Sequence, residues 1–465
     1  MSEFDCVVLA AGDSKRMKSR VPKVLHRVAG RPLMYYPVRA ALELGAKTVV
    51  VVNNPQSRDA VQRELGVCFV ESVLTAVQQS PLGTGDATRV GLEAVNASRV
   101  LVLYADTPLL KVEDLARLTS ELDRGAKLAF MSCILGDPSG YGRVLRDERG
   151  WVRAVREDRD LENGAERAVS EVNAGCYAVD TQALRGALSE IKPHNAQGEY
   201  YLTDGVELIA AQHPDGARAL LGDPAGLFGV NDRAELRQAE RLLFERIALR
   251  HARRGVTVHI GARIDDTVQI DPDAEIESGV CLRGHTQVAS SAWIDVGCVV
   301  TDSRIAEGAI LLPYCVVSGS SIGPEARVGP FAHIRPESEI DREAHVGNFV
   351  ETKKTRLRRG AKANHLAYLG DGDVGEGANI GAGTIFCNYD GFQKHSTVIG
   401  KGAFIGSDTQ LVAPVAVGDG AYVATGTTVT HDVPKDALAI GRARQQNKAG
   451  YATKLRAKLE AGSKK

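Results

Sequence analysis

From residue 255 onward, aliphatic side chains recur every six residues, a period that belongs neither to an α-helix nor to an isolated β-strand. One series runs unbroken from Val258 to Ile294, a second begins at Val316, and the last ends at Val429. The residue two positions before each aliphatic one is usually small. One inward side chain and one turn per six residues close a three-sided coil about every 18 residues. The pattern therefore predicts a parallel β-helix.

The six-residue series changes phase within 294–316, 346–374 and 380–399. We expect extra residues to leave the coil at each of these places, as loops of the kind that often carry function. The second interruption contains a basic cluster and His365, and the third contains the sequence NYDG at 388–391.

The first half of the chain has a different pattern. Apolar runs at 6–10, 48–52 and 100–104 are combined with a helical stretch at about 32–44, as in βαβ units. Asp106 follows the third run, at the carboxyl end of a strand, where open α/β sheets bind ligands. We expect an α/β domain with a Rossmann-like mixed sheet.

Between the halves, apolar residues at helical spacing lie among alternating Arg and Glu, which predicts an amphipathic linker helix. The chain is thus expected to comprise an α/β domain at 1–232, the linker helix at 233–254, and a β-helix domain with a basic carboxy-terminal tail at 255–465.

The overall charge excludes some classes of partner. With 57 basic and 58 acidic residues, the chain has no global field that would attract nucleic acid or an anionic membrane. No run of 18 apolar residues occurs, and the amino terminus lacks a signal-peptide pattern. We expect a cytoplasmic protein without nucleic-acid or membrane partners, in which any anion site is local.

One such site is indicated directly after the first strand. Residues 13–31 include seven Lys or Arg residues and one acidic residue. Gly12 and its small neighbours let backbone N–H groups approach phosphate oxygens, and Arg16 and Lys23 supply charge-assisted hydrogen bonds. The loop fits a polyphosphate, although a solvated basic loop is the alternative reading. It contains neither a Walker A sequence nor a GxGxxG fingerprint.

The motif LAAG at 9–12, with Arg16-Met17 and PKVL at 22–25, resembles the signature of sugar-phosphate nucleotidylyltransferases. Further stretches agree with that family in order along the chain, at 82–85, 104–106, 140–143, 157, 171–175 and 229–231. In the second half, 347–354, 364–371 and 387–391 match an acetyltransferase motif. The six-residue repeats resemble the hexapeptide-repeat helix of acyltransferases, and this resemblance implies that the parallel β-helix is left-handed. Over nearly its whole length the chain is similar to the bacterial bifunctional N-acetylglucosamine-1-phosphate uridylyltransferases / glucosamine-1-phosphate N-acetyltransferases.

This resemblance implies a uridylyl site in the first half. Asp106 and Asn231 would hold Mg²⁺, and Arg16 and Lys23 would be catalytic while UTP reacts with N-acetylglucosamine 1-phosphate and pyrophosphate leaves. No general base is needed, because a phosphate monoester with a second pKa of about 6 is already anionic. The resemblance adds these substrate-binding positions, with Gln78 and Gly83 reading uracil and the last three holding the sugar: Leu9, Ala10, Ala11, Gly12, Lys23, Gln78, Gly83, Thr84, Tyr104, Ala105, Gly142, Glu157 and Asn173.

The resemblance also implies an acetyl-transfer site in the β-helix, which uses acetyl-CoA and glucosamine 1-phosphate. His365 would be the base, since a neutral imidazole with a pKa near 6.5 can take the proton released by the attacking amine. Glu351 would orient it. The other implied positions, which contact the sugar phosphate, the acetyl group or the cofactor, are Arg335, Lys353, Tyr368, Asn379, Ala382, Asn388, Tyr389, Ser407, Thr425 and Arg442.

The family resemblance further suggests a homotrimer with acetyl sites between subunits. The chain departs from the family pattern at Ser14, Ala105, Ala174 and Thr425. Two alternatives stay open at this point. One is a single-activity NDP-sugar pyrophosphorylase whose β-helix is structural, and the other is a noncatalytic sugar-nucleotide sensor.

Overall fold

The computed structural model describes residues 3–12, 15–69 and 73–463, and the chain divides into two units after Ile247. The division falls within a 20-residue helix, in the segment where a linker helix is predicted. Ser14 lies outside the described residues.

The first unit contains eleven strands and most of the helices of the described chain. The strands are β1 (Phe4–Leu9), β2 (Arg27–Val28), β3 (Arg31–Pro32), β4 (Val49–Asn53), β5 (Val73–Val77), β6 (Arg99–Tyr104), β7 (Leu128–Ile134), β8 (Arg143–Arg146), β9 (Val152–Arg156), β10 (Glu171–Asp180) and β11 (Ala217–Leu221). The α-helices that begin in it are α1 (Tyr35–Leu44), α2 (Arg58–Cys68), α3 (Thr84–Leu92), α4 (Val112–Asp123), α5 (Gly164–Arg167), α6 (Thr181–Glu190), α7 (Leu202–Gln212), α8 (Pro224–Leu227) and α9 (Arg233–Ala252).

Nine of these strands form one mixed sheet, in the order β11-β7-β10-β6-β1-β4-β5, with β8 and β9 attached through β10. Strands β1, β4, β5 and β6 run parallel, while β10 runs antiparallel to both neighbours. Every residue of β1 and β4 is buried, as expected for parallel strands covered on both faces. The expected Rossmann-like mixed sheet is confirmed.

Strand pairing brings the first basic loop and Asp106 to the same edge of this sheet. Leu9 at the end of β1 pairs with Tyr104 at the end of β6. The Ala105 N–H then donates to the Leu9 carbonyl at 3.0 Å, and the Ala10 N–H donates to the Val52 carbonyl at 2.7 Å. The chain therefore leaves β1 and β6 side by side.

The second unit is a β-helix with three parallel sheets, as the six-residue period predicts. Face 1 has eleven strands: Thr257–Val258, Glu275–Ile276, Trp293–Ile294, Ile310–Leu311, Arg327–Val328, His345–Asn348, Lys362–His365, Asn379–Ile380, Phe404–Ile405, Tyr422–Val423 and Leu438–Ala439. Face 2 has ten: Arg263–Ile264, Cys281–Arg283, Val299–Thr301, Val316–Ser318, His333–Ile334, Glu351–Lys353, Tyr368–Gly370, Ile385–Cys387, Gln410–Val412 and Thr428–Val429. Face 3 has nine: Gln269–Ile270, Gln287–Val288, Arg304–Ile305, Ser321–Ile322, Glu339–Ile340, Arg356–Leu357, Gly372–Val374, Thr397–Ile399 and Val415–Val417.

Two of the three predicted interruptions contain no loop. Val288 pairs with Ile305, 17 residues later, so this coil is one residue shorter than the coil before it, in which Ile270 pairs with Val288. The same shortening occurs where Arg356 pairs with Asp373. The prediction of Val316 as a core residue is also wrong, because Val316 is 39% exposed whereas Val317 is fully buried. The basic segment through His365 therefore lies on the paired coils of the β-helix and not in a loop.

The third interruption is a true loop. Asp373 pairs with Val398, 25 residues later, so residues between these strands leave the coil. We call residues 388–396, which lie between two strands and include the sequence NYDG, the NYDG loop. The described chain ends in α10 (Tyr451–Gly462), whose residues are all exposed. Among the residues described, no helix combines the length and the apolar character needed to cross a membrane.

Candidate active sites

Three side chains from separate parts of the first unit converge at the end of β6. Asp106 follows the strand, Lys23 lies in a single 3-10 turn, and Asn231 immediately precedes the Asp232 cap of α9. The Lys23 ammonium forms an ion pair with the Asp106 carboxylate and donates to Asn231 Oδ1 at 3.1 Å. Arg16 Nη2 donates to the same Oδ1 at 3.0 Å. The side-chain oxygens of Asp106 and Asn231 thus meet the cationic groups of Lys23 and Arg16 at the end of β6.

The backbone fixes Asn231 in this position. The Val230 N–H donates to the Asp106 carbonyl at 2.8 Å, and the Asn231 N–H donates to Glu235 Oε2 at 2.6 Å. Sequence reasoning missed Glu235. Its spacing from Asp232, which caps α9 through the N–H of Glu235 at 2.9 Å, is the signal that would have indicated a residue of the first helical turn.

A cavity of about 540 Å³ lies beside Lys23 and Asp106 and has the size of a small-molecule site. Gln78 Nε2 donates to the Gly83 carbonyl at 3.0 Å and to Asp86 Oδ2 at 2.9 Å, which orients its amide. Gly83 has φ +104°, and a Cβ there would lie 2.5 Å from the Tyr200 carbonyl. Further predicted residues that line this cavity are Leu9, Ala10, Ala11, Gly12, Thr84 and Tyr104.

Ala105 does not line that cavity. Its side chain is fully buried, and its N–H is used by the bond to Leu9. Ala105 therefore packs in the core behind the strand end.

A smaller cavity of about 240 Å³ shares Tyr104 and Asp106 with the first and is also lined by Gly142, Glu157, Asn173 and Asn231. Burial raises the pKa of Glu157, and the hydrogen bond from Thr203 Oγ1, at 3.0 Å, acts in the opposite direction. Asn173 Nδ2 donates to the Tyr177 hydroxyl at 2.6 Å. Asp106 lines both cavities, so the two cavities together have room for two polar ligands that both lie beside Asp106.

In the β-helix, one column of predicted residues lies at the corner that follows face 1. Ala363, Ile380, Ile405 and Val423 pair in sequence on adjacent coils of that face. The residues two positions further on are His365, Ala382, Ser407 and Thr425. The Arg442 guanidinium donates to the Thr425 carbonyl, which brings the tail to the same corner. We call this set the corner column.

A second group lies on and after face 2. Arg335 and Lys353 each follow a residue of the Ile334–Thr352 pair, so they occupy adjacent coils. Lys394, from the NYDG loop, contacts Lys353, and this contact with a second ammonium group lowers the pKa of Lys353. Sequence reasoning missed Lys394, although it lies in the one true loop. Clustered cations of this kind fit a phosphate.

Gly370 joins two further predicted residues to this group. A Cβ at Gly370 would lie 2.6 Å from both the Tyr368 hydroxyl and Asn388 Nδ2, so both side chains close over the glycine. Asn388 Nδ2 also donates to Asp371 Oδ2 at 2.6 Å. Tyr389 is exposed in the same loop.

Asn379 lies on face 1, beside Lys362 in the ladder and apart from the face 2 group. Glu351 is also placed differently from expectation. It accepts a hydrogen bond from Arg335 Nη1 at 2.6 Å, and within the described residues no hydrogen bond joins it to His365. Glu351 lies on face 2 and His365 at the end of a face 1 strand, so Glu351 orients Arg335 instead.

Comparison with known proteins covers both halves of the chain. Residues 6–174 match the MobA-like NTP transferase domain, and residues 396–431 match the bacterial transferase hexapeptide (six repeats). The chain is 54% identical to the bifunctional protein GlmU of Sorangium cellulosum (strain So ce56), over 99% of this chain and 98% of that protein.

Two further relatives with the same name agree. The chain is 47% identical to the bifunctional protein GlmU of Anaeromyxobacter sp. (strain Fw109-5), over 98% of this chain and 93% of that protein. It is 43% identical to the bifunctional protein GlmU of Trichlorobacter lovleyi, over 97% of this chain and 98% of that protein. Their name states two functions, which contradicts the single-activity alternative. The chain belongs to the family of bifunctional GlmU proteins, enzymes that make UDP-N-acetylglucosamine as N-acetylglucosamine-1-phosphate uridylyltransferase and glucosamine-1-phosphate N-acetyltransferase.

Proposed function

We propose that the β-helix first acetylates glucosamine 1-phosphate from acetyl-CoA, with His365 as base, and that the first unit then transfers the uridylyl group of UTP to the product with Mg²⁺ and releases pyrophosphate. The observation that carries the uridylyl half is the convergence of Asp106, Asn231, Lys23 and Arg16 at the end of β6.

The residues at this point fit a magnesium ion. The Asp106 carboxylate and Asn231 Oδ1 already face a common cation, the Lys23 ammonium, and hard oxygen ligands of this kind suit Mg²⁺. These two residues would hold the ion, which when bound neutralises charge on the phosphates.

The chain's own cations act on the nucleotide. Lys23 lines the 540 Å³ cavity, and Arg16 donates to the same Asn231 oxygen as Lys23, so both can neutralise phosphate oxygens as the bond to pyrophosphate breaks. Gln78 lines the same cavity, and Gly83 and Asp86 accept from its two N–H groups, so its Oε1 can accept from the ring N–H of uracil. Gly142, Glu157 and Asn173 line the adjoining cavity and would bind N-acetylglucosamine.

In the second unit, the corner column would bind the cofactor, and the face 2 group would bind the sugar phosphate. His365 is exposed and at one end of the column, so its imidazole can accept the proton of the attacking amine. Ala382, Ser407 and Thr425 continue the column and would lie along acetyl-CoA, with Arg442 near its phosphates. Arg335, Lys353 and Lys394 would bind the sugar phosphate, beside Tyr368, Asn388 and Tyr389. For Asn379, on face 1, we propose a sugar contact completed by a neighbouring subunit.

We also propose a homotrimer. Tyr314, Phe331 and Phe349 lie on adjacent coils, each three residues after a face 1 core residue. Their rings stack with centroids 5.5 Å apart, although each side chain is about half exposed. Leu366, next to His365, extends this aromatic ladder and is exposed as well. A contiguous apolar strip of this kind marks a protein interface. Subunits that cover the ladder would enclose the acetyl site.

One assay tests both reactions. The purified protein is incubated with glucosamine 1-phosphate, acetyl-CoA, UTP and Mg²⁺, and the product mass is measured. We expect UDP-N-acetylglucosamine, with N-acetylglucosamine 1-phosphate alone when UTP is omitted. UDP-glucosamine as the main product would contradict the proposed order. Light scattering on the same sample should give three chains per particle, and a monomer with full acetyl transfer would contradict the trimer.

A further inference from the structure

The NYDG loop has no core to hold it. Phe392 at its tip is 93% exposed and Tyr389 is 61% exposed, so apolar burial does not fix its shape. Its backbone pairing includes one antiparallel bridge, between Tyr389 and Lys394, and the hydrogen bond from the Asp390 N–H to the Gln393 carbonyl at 3.2 Å. Yet it carries Asn388, Tyr389 and Lys394, three residues proposed above for the acetyl site.

One carboxylate accepts three of the hydrogen bonds within the loop. Asp390 Oδ1 accepts from the N–H groups of Phe392 at 2.8 Å and Gln393 at 2.7 Å. Asp390 Oδ2 lies 2.7 Å from His395 Nε2. The backbone N–H of His395 donates to the Asn388 carbonyl at 2.8 Å, and this hydrogen bond closes the base of the loop.

These bonds favour the ionised carboxylate. The two backbone N–H groups and the His395 imidazole hold the pKa of Asp390 well below its usual range. The loop is therefore tied together by a charge that ordinary conditions do not remove.

We propose that Asp390 and His395 are positioning residues for acetyl transfer, and that their contact sets the placement of Asn388, Tyr389 and Lys394. This inference rests on the proposed acetyl site. Asp390 acts through the two N–H groups, and His395 acts by donating its Nε2–H to the carboxylate across the loop. A small displacement of groups that hold a reacting substrate costs about 10²-fold in rate, so the effect should be large for residues that touch no substrate.

The test compares four variants of the full-length enzyme in acetyl transfer, with uridylyl transfer by the same sample as an internal measure of folding. We expect Asp390→Ala and His395→Ala to lower kcat/KM for glucosamine 1-phosphate by about 10- to 100-fold, through both kcat and KM. His395→Gln, whose amide can donate to Asp390, should recover at least half of that loss on a logarithmic scale. Gln393→Ala is the matched control, because only its backbone takes part, and it should behave as the wild type.

Wild-type kinetics in both alanine variants would overturn the proposal. So would equal impairment of His395→Gln and His395→Ala, since the donated hydrogen bond would then not matter. If Asp390→Ala loses its assembly, the His395 pair alone decides between these outcomes. His365→Ala separates this proposal from the acetyl site itself: if that variant also keeps wild-type acetylation, the proposed site is wrong and not only its positioning residues.

Discussion

The two units bring together the cations proposed to bind phosphate in different ways. In the first, Lys23, Asp106 and Asn231 come from distant parts of the chain and meet beside cavities lined by that unit alone. In the second, Arg335 and Lys353 stand on the outside of adjacent coils, about 4.8 Å apart along the axis. Strand ends converge on a point, whereas coils produce columns. A substrate bound along such a column therefore needs a second surface, beyond that face of the β-helix, to enclose it.

The largest expected effect follows from removal of the proposed base in the second unit. His365→Ala should lower the rate of acetyl transfer by about 10²- to 10⁴-fold, because no neighbouring group on the corner column can take the proton. Uridylyl transfer should stay at the wild-type rate. Separate assays with acetyl-CoA and with UTP measure the two effects, and a parallel loss of both would mean that the units do not act independently.

The reciprocal change should follow closely in size. Asp106→Ala should lower uridylyl transfer by about 10²- to 10³-fold, since it removes an oxygen ligand and leaves the Lys23 ammonium without its carboxylate. Pyrophosphate release is the measurement, and acetyl transfer in the same preparation is the control. Release of pyrophosphate at the wild-type rate would refute the metal assignment.

A smaller effect tests the cation group on the β-helix. Lys394→Ala should raise KM for glucosamine 1-phosphate about 10- to 100-fold, the loss of one charge-assisted hydrogen bond. Lys401→Ala is the matched control, because Lys401 forms only an exposed pair with Glu376 at 3.2 Å. Equal KM values for the two variants would place the phosphate elsewhere.

The smallest expected effect concerns the stability of the first unit. Burial, together with the neighbouring Glu157 carboxylate, raises the pKa of Asp204 to about 6. Because this folded-state value exceeds the unfolded one, Asp204 favours folding below pH 4 and that contribution is lost as the pH rises through 6. Asp204→Asn should therefore raise the free energy of unfolding by about 1 to 2 kcal/mol at pH 8, after allowance for partial exposure, and by less at pH 4.

Urea unfolding followed at both pH values measures this difference. The carboxy-terminal unit contains no part of this carboxylate group and should unfold at an unchanged urea concentration. An equal gain at pH 4 and pH 8 would show that ionisation of Asp204 is not its cause.

The sequence predicts the β-helix because one aliphatic residue per side is enough to specify a coil, as Ile276, Leu282 and Val288 show. It does not distinguish an inserted loop from a missing residue, because both merely shift the phase. That is why Val316 was expected in the core where Val317 lies, and why two loops were predicted on shortened coils.

The sequence also predicts some residues of the candidate sites and misses others. Lys23, Asp106 and Asn231 stand in recognisable motifs, and the structure brings them together. Lys394 could not be found from spacing, because its role depends on its proximity to Lys353. The spacing of Glu235 from Asp232 indicates a residue of the first helical turn, but it does not indicate the hydrogen bond to the Asn231 backbone. The pairing of Glu351 with Arg335 depends on which face each coil presents, which a motif does not contain.

The coil resumes its pairing immediately after the NYDG loop, since Val374 pairs with Ile399 and Ile399 with Val417 in the ordinary register. An architecture whose every turn contacts only the turns above and below can accept new residues at a corner without refolding elsewhere. Chain length at that corner is therefore free to vary during evolution or engineering, and a different recognition segment could be grafted there while the remaining turns keep their places.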